Sequence, residues 1–104
     1  QIPDWALLGS FFSLTRTSGE LSVACRQSDV PEGIRCEKGW RCLQVAGPLD
    51  FSLTGILTSL LTPLAQARIP VFVISTYDTD YVMIQEKNLE GAVLLLSQAG
   101  HRVR

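Results

Sequence analysis

Residues suited to catalysis and metal binding are scarce in this sequence. Its 104 residues include one histidine, His101, and three cysteines, Cys25, Cys36 and Cys42, with no Cys-x-x-Cys pair among them. A structural zinc site needs about four ligands, and an odd number of cysteines completes no disulfide framework. A catalytic Cys–His pair has no local motif here. We therefore expect reduced thiols, no metal, no cofactor and no enzymatic activity.

The sequence also lacks runs of basic residues and long apolar segments. Nine Lys and Arg stand against ten Asp and Glu, and the basic residues are scattered along the chain. Such a distribution cannot follow a phosphate backbone, so we expect no nucleic-acid partner. No apolar stretch reaches the roughly 20 residues that cross a bilayer, and no signal segment opens the chain. With 46% apolar residues, the composition predicts a globular protein. We expect no membrane partner, and the reduced thiols favour the cytoplasm.

An amphipathic helix is the clearest prediction in the second half. Residues 41–46 alternate like a short strand, and residues 47–50 break that pattern. Asp50 or Ser52 is the expected N-cap of the helix, and Pro63 should kink it or tighten its last turns. One apolar stripe of helical spacing defines the helix: Leu53, Ile56, Leu57, Leu60, Leu61 and Leu64.

A β-hairpin and a second helix are predicted next. Residues 71–74 and 81–84 are apolar runs rich in β-branched residues, read as strands buried on both faces. The turn at residues 78–80 is short, so the two strands must be antiparallel. Asn88 is the predicted N-cap of the second helix. One face of that helix carries Leu89, Ala92, Val93 and Leu96.

The end of the chain completes the predicted fold. Gly100 stands where a left-handed glycine follows a helix, and residues 101–103 begin a last strand. The order β-α-β-β-α-β over residues 41–104 predicts an α+β, ferredoxin-like domain. We expect the first helix to face the sheet through its apolar stripe. The predicted partners of that stripe are Phe72, Ile74, Val82 and Leu96.

The first half predicts a smaller β unit. Residues 11–15 and 21–25 flank Ser18-Gly19 and read as a hairpin, and residues 34–37 read as a further short strand. A shift of 60 residues lays the first hairpin over the second, which makes Glu20 the counterpart of Asp80. The match is equally consistent with one hairpin resembling any other. If it is a true repeat, residues 1–40 are a degenerate, incomplete copy of the domain at residues 41–104.

One segment resembles a known family. Ser75-Thr76-Tyr77-Asp78-Thr79-Asp80, within residues 69–82, is similar to the second-hairpin segment of small ACT-domain proteins related to the Castor arginine sensors. Bacterial members of that group are often labelled aspartate-kinase-like. Further residues fit the same pattern, namely Trp5, residues 11–16, Gly39-Trp40-Arg41, residues 47–51, Gly55-Ile56 and residues 63–65. The resemblance implies two ACT-like units packed side by side, with the C-terminal one complete.

The resemblance also implies a site. ACT domains bind small effectors, chiefly amino acids, between the loop after the first strand of one unit and the hairpin of a neighbour. Backbone N–H groups at a helix start suit the carboxylate, and the aspartates of the hairpin suit the ammonium. Kinase chemistry does not follow, since the chain has no phosphate-cradling glycine-rich loop. The candidate ligand residues are Gly47, Pro48, Leu49, Asp50, Phe51, Thr54, Gly55, Ile56, Ser75, Thr76, Tyr77, Asp78, Thr79 and Asp80.

Other interpretations remain open at this stage. The aspartates of the hairpin are also ordinary turn residues, and Asp50 is an ordinary N-cap. Trp5 and Trp40 are expected to fill the seam between units. The leading hypothesis is a dimeric, non-catalytic amino-acid sensor. The alternative is a structural or protein-interaction ACT domain that has lost its ligand.

Overall fold

The computed structural model describes residues 2–45 and 55–103. The chain forms two compact units, Gln1–Lys38 and Gly39–Arg104. A helix that could cross a membrane is absent from the described part of the chain.

The first unit is built on one β-hairpin. A 3₁₀ helix at Asp4–Leu7 precedes strands β1 (Phe12–Arg16) and β2 (Leu21–Cys25), which pair antiparallel as predicted, and a second 3₁₀ helix follows at Gln27–Asp29. The strand expected at residues 34–37 is not formed. Every residue from 31 to 38 is exposed. A strand there would have no apolar face to bury, so its pairing would gain little.

An ion pair closes the end of the first hairpin. The Arg26 guanidinium donates from Nε to Asp29 Oδ2 at 3.0 Å and from an Nη atom to Asp29 Oδ1 at 3.1 Å. This bidentate geometry is the one in which a guanidinium binds a carboxylate most strongly. Gly9 passes so close that a Cβ there would lie 2.8 Å from Arg26 Nε and 2.9 Å from Asp29 Oδ2. The pair is therefore packed directly against the backbone that leads into β1.

The second unit follows the predicted α+β order as far as its second helix. Strand β3 is followed by helix α1, a β4–β5 hairpin and helix α2, and the sheet order is β3-β5-β4, with both neighbouring pairs antiparallel. The ferredoxin-like fold class is thus confirmed. The buried residues of this sheet lie on the central strand β5, because it is the strand that has another strand paired on each side. The elements span Trp40–Gln44 (β3), Ile56–Gln66 (α1), Val71–Ser75 (β4), Asp80–Gln85 (β5) and Glu86–Gln98 (α2).

The core lies between the two helices and one face of this sheet. Leu64 of α1, Ile84 of β5 and Leu96 of α2 are almost fully buried and belong to one cluster. The helical stripe predicted for α1 is confirmed from residue 57 onward, whereas Ile56 is not part of this cluster and Leu53 lies outside the described residues. Partly buried side chains complete the cluster: Leu43, Leu57, Leu60, Leu61, Ile69, Val71, Val73 and Val103.

The predicted core residues of β4 are wrong by one position. Val71 and Val73 pack on the core, whereas Phe72 is 38% exposed. Side chains alternate along a strand, so Ile74 lies on the same face as Phe72. Every residue from 71 to 74 is apolar, and the sequence therefore held no signal that distinguished the two faces. Phe72 instead packs edge-on against Trp40, with ring centroids 4.8 Å apart.

The start of α2 also differs from the prediction. The helix begins at Glu86, with Gln85 at the N-cap and Asn88 already inside the first turn. Strand β5 runs directly into the helix, because the N–H of Glu86 donates to the carbonyl oxygen of Gly39 at 2.6 Å and so extends the ladder with β3. No side chain caps this end.

Both helices end in the same backbone motif. After α2, the N–H of Gly100 donates to Ser97 and that of His101 to Leu96, and Gly100 has the predicted left-handed conformation, with φ +95°. This is the Schellman pattern. Residues 101–103 form no strand, so the predicted last strand is wrong. The backbone of His101 terminates the helix, and Val103 packs on the core.

Helix α1 ends in that motif without glycine. The N–H of Ile69 donates to Leu64 at 2.9 Å and that of Arg68 to Ala65 at 3.0 Å. The left-handed position is held by Arg68, with φ +58°. Pro63 lies inside this helix, which ends at Gln66. The predicted caps Asp50 and Ser52 lie outside the described residues.

Candidate functional site

The turn between β4 and β5 is closed by two threonines. The N–H of Thr76 donates to the carbonyl oxygen of Thr79 at 2.9 Å, and the N–H of Thr79 donates to the hydroxyl of Thr76 at 3.3 Å. Tyr77 and Asp78 form the tip, where Tyr77 is 82% exposed. The tip therefore presents one aromatic ring and one carboxylate to solvent.

Thr79 joins this turn to the end of β3. Its side chain is only 5% exposed, and its hydroxyl donates to the carbonyl oxygen of Val45 at 2.6 Å. In return, the N–H of Val45 donates to the carbonyl oxygen of Asp80 at 3.0 Å. Both backbone groups of Val45 are thus bound to the hairpin. Val45 is the last described residue before the loop that the sequence predicts as the second wall of the site.

Asp80 and Ser75 form a polar pair at the base of the turn. They are paired residues of the ladder, and the Ser75 hydroxyl donates to Asp80 Oδ1 at 2.5 Å. A hydrogen bond to a carboxylate is short because the acceptor is charged. Asp80 is half-buried and Asp78 is exposed. Within residues 2–45 and 55–103, neither carboxylate belongs to an ion pair, since those found are Arg26–Asp29 and Arg41–Glu86.

The structure brings four of the predicted site residues together and leaves others untested. Ser75, Thr76, Thr79 and Asp80 form one connected group of hydrogen bonds at the hairpin. Residues 47–51 and Thr54 lie outside the described residues. Gly55 immediately precedes α1 with φ +87°, and Ile56 is the first residue of that helix. Val45 was missed by sequence reasoning, because its contribution comes from backbone atoms that no residue type reveals.

The first hairpin gives an internal comparison. Its turn is closed by the N–H of Thr17 donating to Glu20 at 2.9 Å, and the N–H of Glu20 donates to the Thr17 hydroxyl at 3.1 Å. The ladders match when the hairpins are offset by 59 residues, not 60, because Arg16 pairs with Leu21 as Ser75 pairs with Asp80. The counterpart of Glu20 is therefore Thr79. A slip of one residue exchanges the faces of a strand, so the predicted pairing of Glu20 with Asp80 is wrong.

The cysteines and His101 form no reactive or metal-binding group within the described residues. Partial desolvation raises the pKa of the half-buried Cys25 thiol and of the more exposed Cys42 thiol, and Asp29 and Cys36 add to the effect on Cys25. A raised pKa keeps a thiol protonated and unreactive. Clusters of three or more metal-binding side chains are absent from residues 2–45 and 55–103. The His101 imidazole contacts a backbone carbonyl, at Ser59.

Comparison with known families decides the classification of this fold. The model of the ACT domain family matches residues 35–98. This chain belongs to the ACT domain family. A second family model, of an N-terminal domain, matches residues 1–33 of this ACT-domain chain. The two matches fall on the two units of the structure.

Curated relatives of this ACT-domain chain include regulatory proteins. It is 27% identical over 103 residues to the cytosolic arginine sensor for mTORC1 subunit 1 of Bos taurus, covering 85% of this chain and 30% of that protein. The mouse protein of the same name is 35% identical over 102 residues, with the same coverage. The human putative protein CASTOR3P is 30% identical over 92 residues, covering 76% of this chain and 56% of that protein. The chain thus spans less than a third of the length of the arginine sensors that it matches.

A solved structure has the same fold over the whole chain. The crystal structure of a protein from Agobacterium tumefaciens superposes with a TM-score of 0.93 at 40% identity, covering 100% of this chain and 78% of that one. The resemblance to ACT-domain proteins stated from the sequence is therefore confirmed.

Proposed function

We propose that this ACT domain is a regulatory module that binds a free amino acid and has no catalytic activity. The observation that carries the proposal is the Asp80 carboxylate, oriented by Ser75 at the base of an exposed turn. A second carboxylate, Asp78, lies two residues away. In the described part of the chain neither is neutralised by an ion pair. An α-ammonium group supplies the missing positive charge and donates charge-assisted hydrogen bonds to such an acceptor.

The start of α1 is the proposed partner for the ligand carboxylate. The first N–H groups of a helix have no acceptor within the helix, and the helix dipole favours a negative charge there. Gly55, next to this end, has a left-handed backbone and no side chain above it, since a Cβ at this position would meet nothing within 4 Å. Residues 47–51 and Thr54 complete the proposed site.

Arginine is the first ligand to test. The relatives above are named as cytosolic arginine sensors, and we extend that ligand class and that compartment to this chain as part of the proposal. An arginine side chain carries a second cation, and the hairpin carries a second carboxylate at Asp78. A guanidinium matches a carboxylate with two parallel hydrogen bonds.

Thermal shift measurements with each of the twenty amino acids test the proposal. A ligand present at about 100 times its dissociation constant adds about 2.7 kcal/mol to the free energy of unfolding, which is a shift of several degrees for a domain of this size. No shift with any of them would contradict amino-acid binding and favour a protein-interaction domain.

The Asp80→Asn variant locates the site. Loss of a charge-assisted hydrogen bond should cost about 1.5–3 kcal/mol, or roughly ten- to a hundredfold in affinity by calorimetry. Glu90→Gln is the matched control, since it removes one exposed carboxylate from α2 of the same unit. Equal affinity of Asp80→Asn and Glu90→Gln would show that the ligand is held elsewhere.

We also propose that the protein forms a homodimer. Strands β3 and β4 are the edges of the described three-stranded sheet, and exposed edges favour pairing with another chain unless they are covered. Light scattering at micromolar concentration should give twice the chain mass of 11.4 kDa. A mass near that of one chain would contradict the dimer.

A further inference from the structure

We propose that strand β4 is the surface through which two copies of this chain associate, in one defined register. Resting on the homodimer proposed above, the inference is that β4 of each copy pairs antiparallel with β4 of the other, about a two-fold axis at Val73. The two three-stranded sheets then form one continuous sheet of six strands. In this register Arg68 of each copy lies opposite Asp78 of the partner subunit.

The ladder between β4 and β5 shows which backbone groups of β4 point away from the sheet. The N–H of Thr76 donates to the carbonyl oxygen of Thr79 across the turn, so these two residues form a hydrogen-bonded pair. Hydrogen-bonded and non-hydrogen-bonded pairs alternate along an antiparallel ladder. Counting back from the turn, the residues of β4 whose N–H and C=O groups point away from β5 are Val71, Val73 and Ser75.

The bond between β5 and β3 gives the same alternation. The N–H of Val45 donates to the carbonyl oxygen of Asp80, so Asp80 bonds to β3 and its pair with Ser75 in β4 is a non-hydrogen-bonded one. The three outward residues of β4 are therefore spaced evenly about Val73. A two-fold axis there pairs Val73 with its own copy and Val71 with Ser75, and so uses all three. Every other antiparallel register of the two strands leaves at least one of them without a partner.

The side chains of β4 suit pairing with an identical strand. Its sequence, Val-Phe-Val-Ile-Ser, has none of the charged residues or prolines that commonly protect an edge strand from pairing, whereas the other edge, β3, contains Arg41. In the proposed register Phe72 lies opposite Ile74 of the partner subunit. An aromatic residue opposite a β-branched one stabilises antiparallel strands. Pairing would thus cover part of the Phe72 side chain, which is 38% exposed in the single chain.

The charges on either side of β4 complement each other across the axis. Arg68 precedes the strand by three residues and Asp78 follows it by three, and both side chains are exposed. Pairing about Val73 matches residues that are equally far from it, so the dimer has two contacts between Arg68 and Asp78. In the single chain the ion pairs of the described residues are Arg26–Asp29 and Arg41–Glu86, and neither Arg68 nor Asp78 takes part in them.

The backbone of Arg68 supports a role for its side chain outside the single chain. Its φ of +58° is a conformation in which glycine is favoured, so an arginine at this position costs the single chain free energy. A contact made in the dimer offsets that cost. A carboxylate has about four acceptor positions, so Asp78 can accept from Arg68 of the partner subunit and from the guanidinium proposed for the ligand.

Two charge reversals test the contact, and mixing them tests whether it joins two copies. Arg68→Asp brings two aspartates together at each end of the paired strands, and Asp78→Arg brings two arginines together. Sedimentation equilibrium should show the dimer dissociation constant raised roughly tenfold or more for each variant alone, because two ion pairs become two repulsions. An equimolar mixture restores opposite charges at both ends of the mixed dimer, so its dissociation constant should lie within about threefold of the wild type. A contact within one chain cannot be restored by mixing.

Amide hydrogen exchange tests the strand pairing itself. The amides of Val71, Val73 and Ser75 should exchange more slowly at concentrations where the dimer forms than on dilution below the dissociation constant. The amides of Phe72 and Ile74 point towards β5 and should exchange at the same rate at both concentrations.

A matched variant controls for the change of charge. Arg102→Asp reverses an exposed arginine that follows α2 and lies outside the proposed interface, so it should leave the dissociation constant unchanged. The inference is overturned if the mixture associates no better than its components, if the outward amides of β4 gain no protection, or if Arg102→Asp weakens the dimer equally. A wild-type chain that stays monomeric at every concentration overturns the proposed homodimer, and this inference with it. A wild-type dimer that the two charge reversals leave intact overturns this inference alone.

Discussion

The Nε2 atom of His101 lies 3.1 Å from the carbonyl oxygen of Ser59. In a regular helix that carbonyl accepts from the residue four positions later, which here is Pro63 and has no N–H. A carbonyl only accepts, so Nε2 carries the hydrogen. The imidazole after α2 thus supplies the donor that proline removes from α1, and it joins the two helices at this point.

A double-mutant cycle tests this replacement. His101→Ala should lower the free energy of unfolding by about 1 kcal/mol, the usual net value of one hydrogen bond. In a Pro63→Ala background the helix regains its own N–H, and the same substitution should cost clearly less. Urea unfolding of the four proteins gives the coupling. An equal cost of His101→Ala in both backgrounds would contradict the replacement.

Glycine should be the favoured residue at both Schellman ends, so the two substitutions Arg68→Gly and Gly100→Ala should have opposite effects on stability. Arg68 holds a left-handed backbone that costs an ordinary residue about 1–2 kcal/mol, so Arg68→Gly should stabilise the protein by a net 0.5–1 kcal/mol, approximately, after the extra entropy of unfolded glycine. Gly100→Ala should destabilise it by about 1 kcal/mol, through the backbone alone, because a Cβ there meets nothing within 4 Å. Thermal unfolding measures both. A destabilised Arg68→Gly would show that the arginine side chain has a structural contact of its own.

Leu64 is expected to be the most sensitive position of α1. It is 1% exposed, whereas Leu60 is only partly buried. Leu64→Ala should cost about 2–5 kcal/mol, and Leu60→Ala less, because a partly exposed site leaves a smaller cavity. The two variants differ only in position along one stripe. The reverse order in urea unfolding would mean that the helix is rotated relative to the sheet.

The Cys42 thiol should titrate late. Cys42 is an exposed residue, but partial desolvation of its thiol raises the pKa above the ordinary value of 9.0. In a Cys25→Ser/Cys36→Ser protein, the rate of alkylation by iodoacetamide should reach half its maximum above that pH, and at a lower pH after denaturation. Since the unfolded thiol ionises first, the stability present below pH 9.0 should decline as the pH rises through the folded pKa. Equal midpoints in folded and denatured protein would contradict the assignment.

A side chain at Gly9 should disturb the ion pair that packs against it. A Cβ there would displace the ion pair between Arg26 and Asp29, so Gly9→Ala should lower the unfolding midpoint of the first unit. Gly19→Ala is the control, because a Cβ at Gly19 meets nothing within 4 Å. An unchanged midpoint for Gly9→Ala would show that Arg26 swings away without loss.

The spacing of apolar residues made the hairpins and the α1 stripe predictable. The wrong predictions, for the core face of β4 and the start of α2, fall where that spacing carries no information. A run of four apolar residues in β4 has no alternation, so Val71 and Val73 could not be chosen over Phe72. Asn88 has the chemistry of an N-cap, but the ladder between β3 and β5 extends into α2 and fixes its start at Glu86.

The candidate site was predictable only where residue types carry its chemistry. Asp78 and Asp80 are visible in the sequence because carboxylates bind cations whatever the backbone does. The Thr79–Val45 contact joins residues 34 positions apart through a backbone carbonyl, and any residue at position 45 would offer the same atom. Such a contact can be identified only from the structure, where the pairing of β3 with β5 places the two residues side by side.

Each of the two units contains one tryptophan, Trp5 in the 3₁₀ helix of the first and Trp40 at the start of β3 in the second. The chain has two tryptophans in total, so each substitution to phenylalanine leaves a single emitter. In Trp40→Phe the tryptophan fluorescence reports on the first unit, and in Trp5→Phe it reports on the second. Denaturation curves that superimpose would show that the two units unfold cooperatively. Separated curves would give the free energy of unfolding of each unit.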